Sequence, residues 1–296
     1  MEDLLSYGLL TFASLALPAL GLCLSIKVVK YFNLAYGDYV TMGAYIALLF
    51  NLIFGWNIVW AMVATIVITA IAGAAIHKGI FKPLMERKVG PLTLLVVSLG
   101  VGFVIRNVIL IAWGPQPYQY KMPMARAHHF GPFFFTPFQI FMIVVCLAVA
   151  IGIFLMLRYT QLGRLMRATS DNPELSEIRG INIEKVYSYT WLIACGLSAL
   201  GGVFMSILGT ITTWMGIGVL VTIFACLIVG GIENPYGAVL GALIISFAME
   251  ATAIWISPPY KVTIAYVIMI VILLIKPSGI FAGGGFKWSS LLRLQR

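Results

Sequence analysis

The feature that most constrains this chain is a succession of long stretches without one charged side chain. Residues 4–26 form the first, and residues 39–76 form a second long enough for two crossings with Gly55-Trp56-Asn57 as the turn. Residues 91–112 (interrupted by Arg106), 138–157, 186–232, 236–256 (interrupted by Glu250) and 261–276 (bounded by Lys261 and Lys276) continue the pattern. A helix needs about 20 apolar residues to cross the hydrocarbon core of a bilayer, and in lipid only helices or closed barrels satisfy every backbone polar group. Stretch 186–232 holds one full span and a shorter one over about 217–232, separated by a Gly- and Thr-rich break at 209–218. The expected fold is all-α: a polytopic helical membrane protein of about eight to nine transmembrane or re-entrant helices, forming one domain over residues 1–296. Lengths alone leave open whether 217–232 and 261–276 cross fully. Composition agrees, since 61% of the residues are hydrophobic and only 10% charged, against about 25% charged in soluble domains.

The net charge of +9 would raise nucleic-acid binding in a soluble protein, but here the basic residues sit between the apolar runs. With the N-terminus outside and nine alternating spans, fifteen of the nineteen Lys and Arg residues fall on the inner side, in the segments around Lys27, Lys78–Lys88, Arg158–Lys185 and Lys276–Arg296. Only Lys121, Arg126 and Lys261 lie outside, and Arg106 lies within a span. That asymmetry follows the positive-inside rule and puts the C-terminus in the cytoplasm. The first apolar run starts without a basic leader and is longer than the core of a secretory signal. The outer aromatic stretch Phe130-Gly131-Pro132-Phe133-Phe134-Phe135 suits interfacial anchoring.

Enzyme signatures do not occur. There is no Gly-x4-Gly-Lys-Ser/Thr phosphate loop, no His-Glu-x2-His zinc pair and no Gly-x-Ser-x-Gly elbow. His77, His128 and His129 have no partner at ligand spacing, and Cys23, Cys146, Cys195 and Cys226 stand singly in apolar runs, as small buried residues do.

The polar segment 158–185 is the most informative. Asn172 suits an N-cap and Pro173 the first helical position. Glu174 and Glu177 lie at the positive end of the helix dipole, and Gly180 suits the stop. The segment therefore encodes a helix of about two turns, with Leu175, Ile178 and Ile181 spaced as an apolar strip. Two uses fit such a strip equally: docking a cytoplasmic partner, or resting on the membrane surface.

Glu174-Leu175-Ser176-x3-Gly180 resembles the Glu-Ala-Ala-x3-Gly core of the permeases of ATP-binding-cassette (ABC) importers. The Ile-x-Leu-Pro that usually follows is absent, which fits a branch similar to permeases for branched-chain amino acids and simple sugars. Tyr31-Phe32-Asn33-Leu34-Ala35-Tyr36-Gly37-Asp38, followed by Met42-Gly43-Ala44-Tyr45, resembles the Asn-Phe-Ala-His-Gly-Glu…Gly-Ala-Tyr signature of branched-chain amino acid permeases, departing from it at three positions. Leu162-Gly163-Arg164, Gly180-Ile181-Asn182, Gly230 to Ala242 and Lys276-Pro277-Ser278-Gly279-Ile280-Phe281 extend the likeness over about residues 15–281. The chain thus resembles the H-type permease subunit of that family.

The resemblance implies an ABC-importer permease in a bacterial inner membrane, paired with an M-type permease, two cytoplasmic ATPase subunits and an external solute-binding protein. ATP and magnesium would be used by the ATPase subunits, with no cofactor on this chain. It implies that Glu174, Leu175, Ser176, Ile178 and Gly180 form the coupling helix, and that the solute is small: a branched-chain amino acid, urea, an amide or an aromatic acid. The rival classes are a stand-alone secondary transporter or channel, in which an acid such as Glu250 carries the coupling, and an intramembrane enzyme, for which no catalytic cluster is seen. Asn33, Asp38, Arg106 and Glu250 are the pathway or structural candidates. Intramembrane charges are costly and usually paired. The expected arrangement pairs Arg106 with Glu250 inside the bundle and sets Asp38 and Glu233 near the inner face. The dense glycines at 196–202 and 230–231 are expected to serve helix packing.

Overall fold

The computed structural model describes residues 2–122, 128–130 and 133–281. Helix α1 (Glu2–Val29) is the axis of the bundle, lying along both α9 (Ile183–Leu208) and α11 (Pro235–Trp255). Of its most apolar 18 residues 89% are buried, against 6% in the last helix, α12 (Lys261–Ile275). Pro18 removes a hydrogen bond from the middle of α1, and its ring packs where Gly201 of α9 leaves room. Around this axis lie α3 (Ile58–Ile76), which continues through a π-helical turn (His77–Phe81) into α4 (Lys82–Glu86), and then α5 (Pro91–Trp113) and α6 (Pro137–Tyr159). Large apolar side chains cover the outside, among them Trp60, Ile111 and Leu274. This is the surface that lipid, not water, solvates.

Seven helical segments of the described residues are long and apolar enough to cross a membrane: α1, α3 with its continuation to Glu86, α5, α6, α9, α11, and α12 with the 3-10 turn Pro258–Tyr260 before it. Each coincides with an expected span, and the last of the short candidates reaches crossing length through that turn. The other, α10 (Met215–Gly230), does not. The structure differs from expectation at residues 39–76, read as two full spans. The first of these, α2 (Tyr36–Leu48) with the π-helical turn (Leu49–Ile53), is as long as the last segment but is not among the seven, and it begins inside the bundle with Tyr36, Gly37 and Asp38 buried. After α1 the chain turns at Lys30, whose φ is 63°, and runs back among the helices without helical structure. The Leu34 amide donates to Ser98 Oγ at 3.0 Å, and Gly102, midway along α5, packs against Ala35 and Asp38. Lys27, Lys30 and Asp38 mark this break in the sequence, but hydropathy carries no sign that it lies inside the bundle rather than at a membrane face.

Helix α10 also starts in the interior. The residues before it are not helical, but Tyr118 and Ile211 exchange backbone hydrogen bonds at 3.0 and 2.9 Å, so the chain entering from the α5 side satisfies them. The Gly216 amide then donates to Thr41 Oγ1 at 3.0 Å, and Gly216 meets Gly37 backbone to backbone. The two short helices thus touch near their N-termini and run to opposite faces. At its far end α10 meets α11 through Gly230 and Gly237, where any side chain would collide with the neighbouring carbonyl. The glycines at 201–202 and 230 therefore serve close packing, as expected.

One face gathers the basic residues. There Ser170 Oγ donates to the Lys27 carbonyl (3.0 Å), Lys30 pairs with Glu233 (2.9 Å) and Lys82 with Glu184 (2.6 Å), joining the ends of α1, α4, α9 and α11. On the opposite face Asn51 exchanges two hydrogen bonds with the Lys121 backbone. Between α5 and α6, residues 114–122 are neither helix nor paired strand apart from the Tyr118–Ile211 bridge, and two short strands, β1 (His128–Phe130) and β2 (Phe133–Phe135), pair antiparallel. The side chains that would bear on aromatic anchoring there, and those of His128 and His129, lie outside the described residues. The four cysteines are buried and free.

Candidate functional site

Two polar assemblies stand out from the apolar bundle. The first is a helical hairpin on the basic face. Thr160 caps α7 (Gln161–Asp171), its side chain accepting from the Gly163 amide at 3.2 Å. The sequence reading missed this helix, although Leu162, Leu165, Met166 and Thr169 carry the one-sided spacing that marks it. Asn172 ends α7 and caps α8 (Pro173–Ile178), accepting from the Leu175 amide at 3.0 Å. Glu174 sits in the first turn, where the dipole favours it. At the other end Gly180 has φ 81°, the Gly180 amide bonds the Glu177 carbonyl (2.9 Å), and the Ile181 amide reaches back to the Ser176 carbonyl (3.0 Å). That is a Schellman termination, and it requires a residue free to adopt positive φ.

All five candidates of the 174–180 motif therefore lie on one short element, but they face different ways. Leu175 and Ile178 are exposed, Ile178 at 83%. Ser176 is buried, its hydroxyl donating to the Asn172 carbonyl at 2.8 Å. Ile181 does not complete the expected apolar strip. The positive φ at Gly180 breaks the helical spacing and turns Ile181 into a cleft between α4 and α8, beside Met85, Glu177 and Tyr187.

The second assembly lies at membrane depth. Arg106 grips Asp38 through Nε to Oδ1 (3.0 Å) and Nη2 to Oδ1 and Oδ2 (2.9 and 3.1 Å). The side chains are only 6% and 4% exposed. At 1.5 Å rise per residue, Arg106 stands roughly 22 Å from the Pro91 end of α5. Asp38 is therefore not near a membrane face, as expected, but deep in the bundle, in the first turn of the broken helix α2. Its carboxylate sits at the N-terminal end of α2 and accepts three charge-assisted hydrogen bonds from the one guanidinium. The Arg106 guanidinium also lies 4.9 Å from the ring of Trp214, just before α10, and 5.4 Å from that of Phe103. One cation thus joins α5, the start of α2 and the entry to α10.

The expected Arg106–Glu250 pair does not form. Glu250, buried in α11, is held by the Lys261 ammonium at the start of α12 and by the Thr11 hydroxyl of α1. A lysine five residues beyond a predicted span end can reach back into it, and that was the available signal for this pairing. Asn33, the remaining candidate, is buried and shapes the elbow before α2, its Oδ1 accepting from the Ala35 amide at 2.9 Å. Its Nδ2 has no partner among the described residues. Among those residues no three His, Cys, Asp or Glu side chains gather as metal ligands would.

Against known families, residues 4–273 match the model described as branched-chain amino acid transport system / permease component. The probable branched-chain amino acid transport permease protein LivH of Methanocaldococcus jannaschii is 28% identical, covering 99% of this chain and 96% of the relative. The high-affinity branched-chain amino acid transport system permease protein LivH of Escherichia coli K12 is 25% identical, with 92% of each chain covered. The corresponding protein BraD of Pseudomonas aeruginosa is also 25% identical, over 92% of this chain and 93% of its own. No solved structure matches.

Proposed function

The chain belongs to the family of permease components of branched-chain amino acid transport systems, and from that premise we propose that it is the H-type membrane subunit of an ABC importer whose α8 receives the force of ATP-driven closure. The solute is a small amphipathic molecule such as a branched-chain amino acid, as the names of the relatives suggest. A soluble binding protein delivers it on the face opposite α8. A second permease, M-type by resemblance, completes the pathway, and two ATPase subunits carry the ATP and magnesium. The basic face is cytoplasmic and the N-terminus external, in an inner membrane, a reading supported by the gathering of Lys and Arg at one end of the bundle. The whole chain acts as one permease domain.

The observation that carries this reading is α8 itself. A two-turn helix is too short to be stable alone, yet this one has a side-chain cap, a Schellman stop and a buried serine bracing its first turn. It holds Leu175 and Ile178 out from the protein. Such a helix is built to be pushed by something outside this chain. Glu174, Leu175 and Ile178 then make the contact, while Ser176 and Gly180 keep the shape. Asp38, Arg106 and Asn33 act as the fixed joint against which the pathway moves. A stand-alone carrier would need an acid free to load and release a coupling ion, whereas Glu250 is already engaged by Lys261 and Thr11.

The test reconstitutes the chain with its permease, ATPase and binding-protein partners and introduces Gly180→Pro. Proline cannot adopt φ 81° and removes the amide that bonds Glu177. ATP-driven solute uptake should fall at least tenfold while the subunits still copurify. Undiminished uptake would overturn the assignment.

A further inference from the structure

The basic face carries a cavity that the transport reading leaves unused. It lies among the last turn of α1, the end of α6, the body of α7 and the start of α11, with a volume of about 280 Å³. That is well above the roughly 30 Å³ share of one water molecule. Lys27, Arg158 and Arg167 come to it from three different helices, Leu24 and Met166 form an apolar floor, and Tyr236 stands at the rim. Arg167 donates to the Leu157 carbonyl that ends α6. None of the three cations is in an ion pair among the described residues, and Glu233, the acid nearest the start of α11, is already bonded to Lys30.

Three cations gathered over apolar side chains at helix ends make a specific combination. Helix ends lie at the level of lipid headgroups, and basic pockets between membrane helices hold anionic ones. Tyr236, half-exposed and stacked on Phe154 with ring centroids 4.5 Å apart, has the amphipathic character of an interfacial side chain. A dissolved anion would meet the cations but gain nothing from Leu24 and Met166. A phospholipid meets both, its phosphodiester accepting charge-assisted hydrogen bonds and its acyl chain covering the floor. The geometry points to a binding site in this cavity for the phosphodiester of an anionic phospholipid. Because Arg158 and Arg167 flank the joint between α6 and α7, and α7 runs directly into α8, the bound lipid holds the root of the docking hairpin against α1.

The experiment uses the purified full chain, stripped of lipid in neutral detergent. It is titrated with dioleoyl phosphatidylglycerol, with dioleoyl phosphatidylcholine and with sodium phosphate, and bound adducts are counted by native mass spectrometry. The phosphatidylglycerol should bind at least tenfold tighter than the phosphatidylcholine, and millimolar phosphate should not displace it. Lys27→Gln/Arg158→Gln should lower that preference at least fivefold. Lys78→Gln/Lys185→Gln, which removes two charges from the same face away from the cavity, should leave it intact, as should Arg158→Lys. Equal binding of the two lipids by the unaltered chain would overturn the site, whatever the variants do. Displacement by phosphate would overturn the lipid assignment in favour of a free-anion site. Retention of the preference in Lys27→Gln/Arg158→Gln would place the lipid elsewhere. None of these readouts depends on transport.

Discussion

The two polar assemblies are organised on opposite principles. Helix α8 is specified by residues within nine positions of one another: Asn172 starts it, Gly180 stops it, and Ser176 ties its first turn. The Asp38–Arg106 joint is specified by residues 68 positions apart, with Trp214 brought in from farther still. One holds a short exposed element ready to be moved. The other locks three elements together in the buried middle of the bundle. The contrast shows where the molecule keeps its rigidity and where it offers a handle, and substitutions should separate the two.

The largest effect is expected at the joint. Arg106→Met leaves Asp38 buried without its partner, which costs roughly 3–5 kcal/mol. Unfolding of the detergent-solubilised chain should show this loss, and adding Asp38→Asn should restore a large part of it. Losses that simply add would mean the two residues do not act as a pair. Next comes the contact between the short helices. Gly216→Val drives a side chain into the Gly37 backbone, and overpacking of this kind costs about 1–3 kcal/mol. The same unfolding measurement reads it, and an unchanged midpoint would mean that α2 and α10 do not touch there. At α8 the effects should be smaller and local. Asn172→Ala removes a cap worth about 1 kcal/mol. Amide exchange should quicken over residues 173–181 and stay unchanged in α1 and α9. Smallest of all in stability is Ile178→Ser, within about 0.5 kcal/mol because the side chain is exposed. ATP-driven uptake by the reconstituted importer should nonetheless drop severalfold, and a variant as active as the parent would remove Ile178 from the docking surface.

The same contrast explains how much of the protein was legible in its sequence. Apolar runs placed the seven crossing helices because lipid acts on each span independently. The α8 caps were readable because both ends of the helix are written locally. The Gly- and Thr-rich residues 209–218 marked the break before α10, but the mid-depth starts of α2 and α10 were not readable. Asn33, Tyr36 and Gly37 are uncharged, and nothing in hydropathy separates a helix that begins at mid-depth from one that begins at the surface. The partner of Arg106 was misassigned for a related reason. Pairing inside a membrane follows depth, and the depth of Asp38 depends on the turn at Lys30. Helix α7 was within reach of the sequence reading, since its amphipathic spacing and its Thr160 cap are both local.

The burial of α1 has a consequence for how the protein is made. Helix α1 is made well before the neighbours that enclose it: α9 and α11 begin about 150 and about 205 residues later, which at ~5–20 residues per second is a delay of roughly 8–30 s for the first and 10–40 s for the second. During that interval Ser14, Ser25 and the hydrogen-bond gap at Pro18 are left facing acyl chains or the insertion machinery. Assembly is thus a matter of sheltering a future centre until its walls arrive, and synthesis that stalls before α9 would leave behind a lone, sticky hydrophobic rod for quality control to remove.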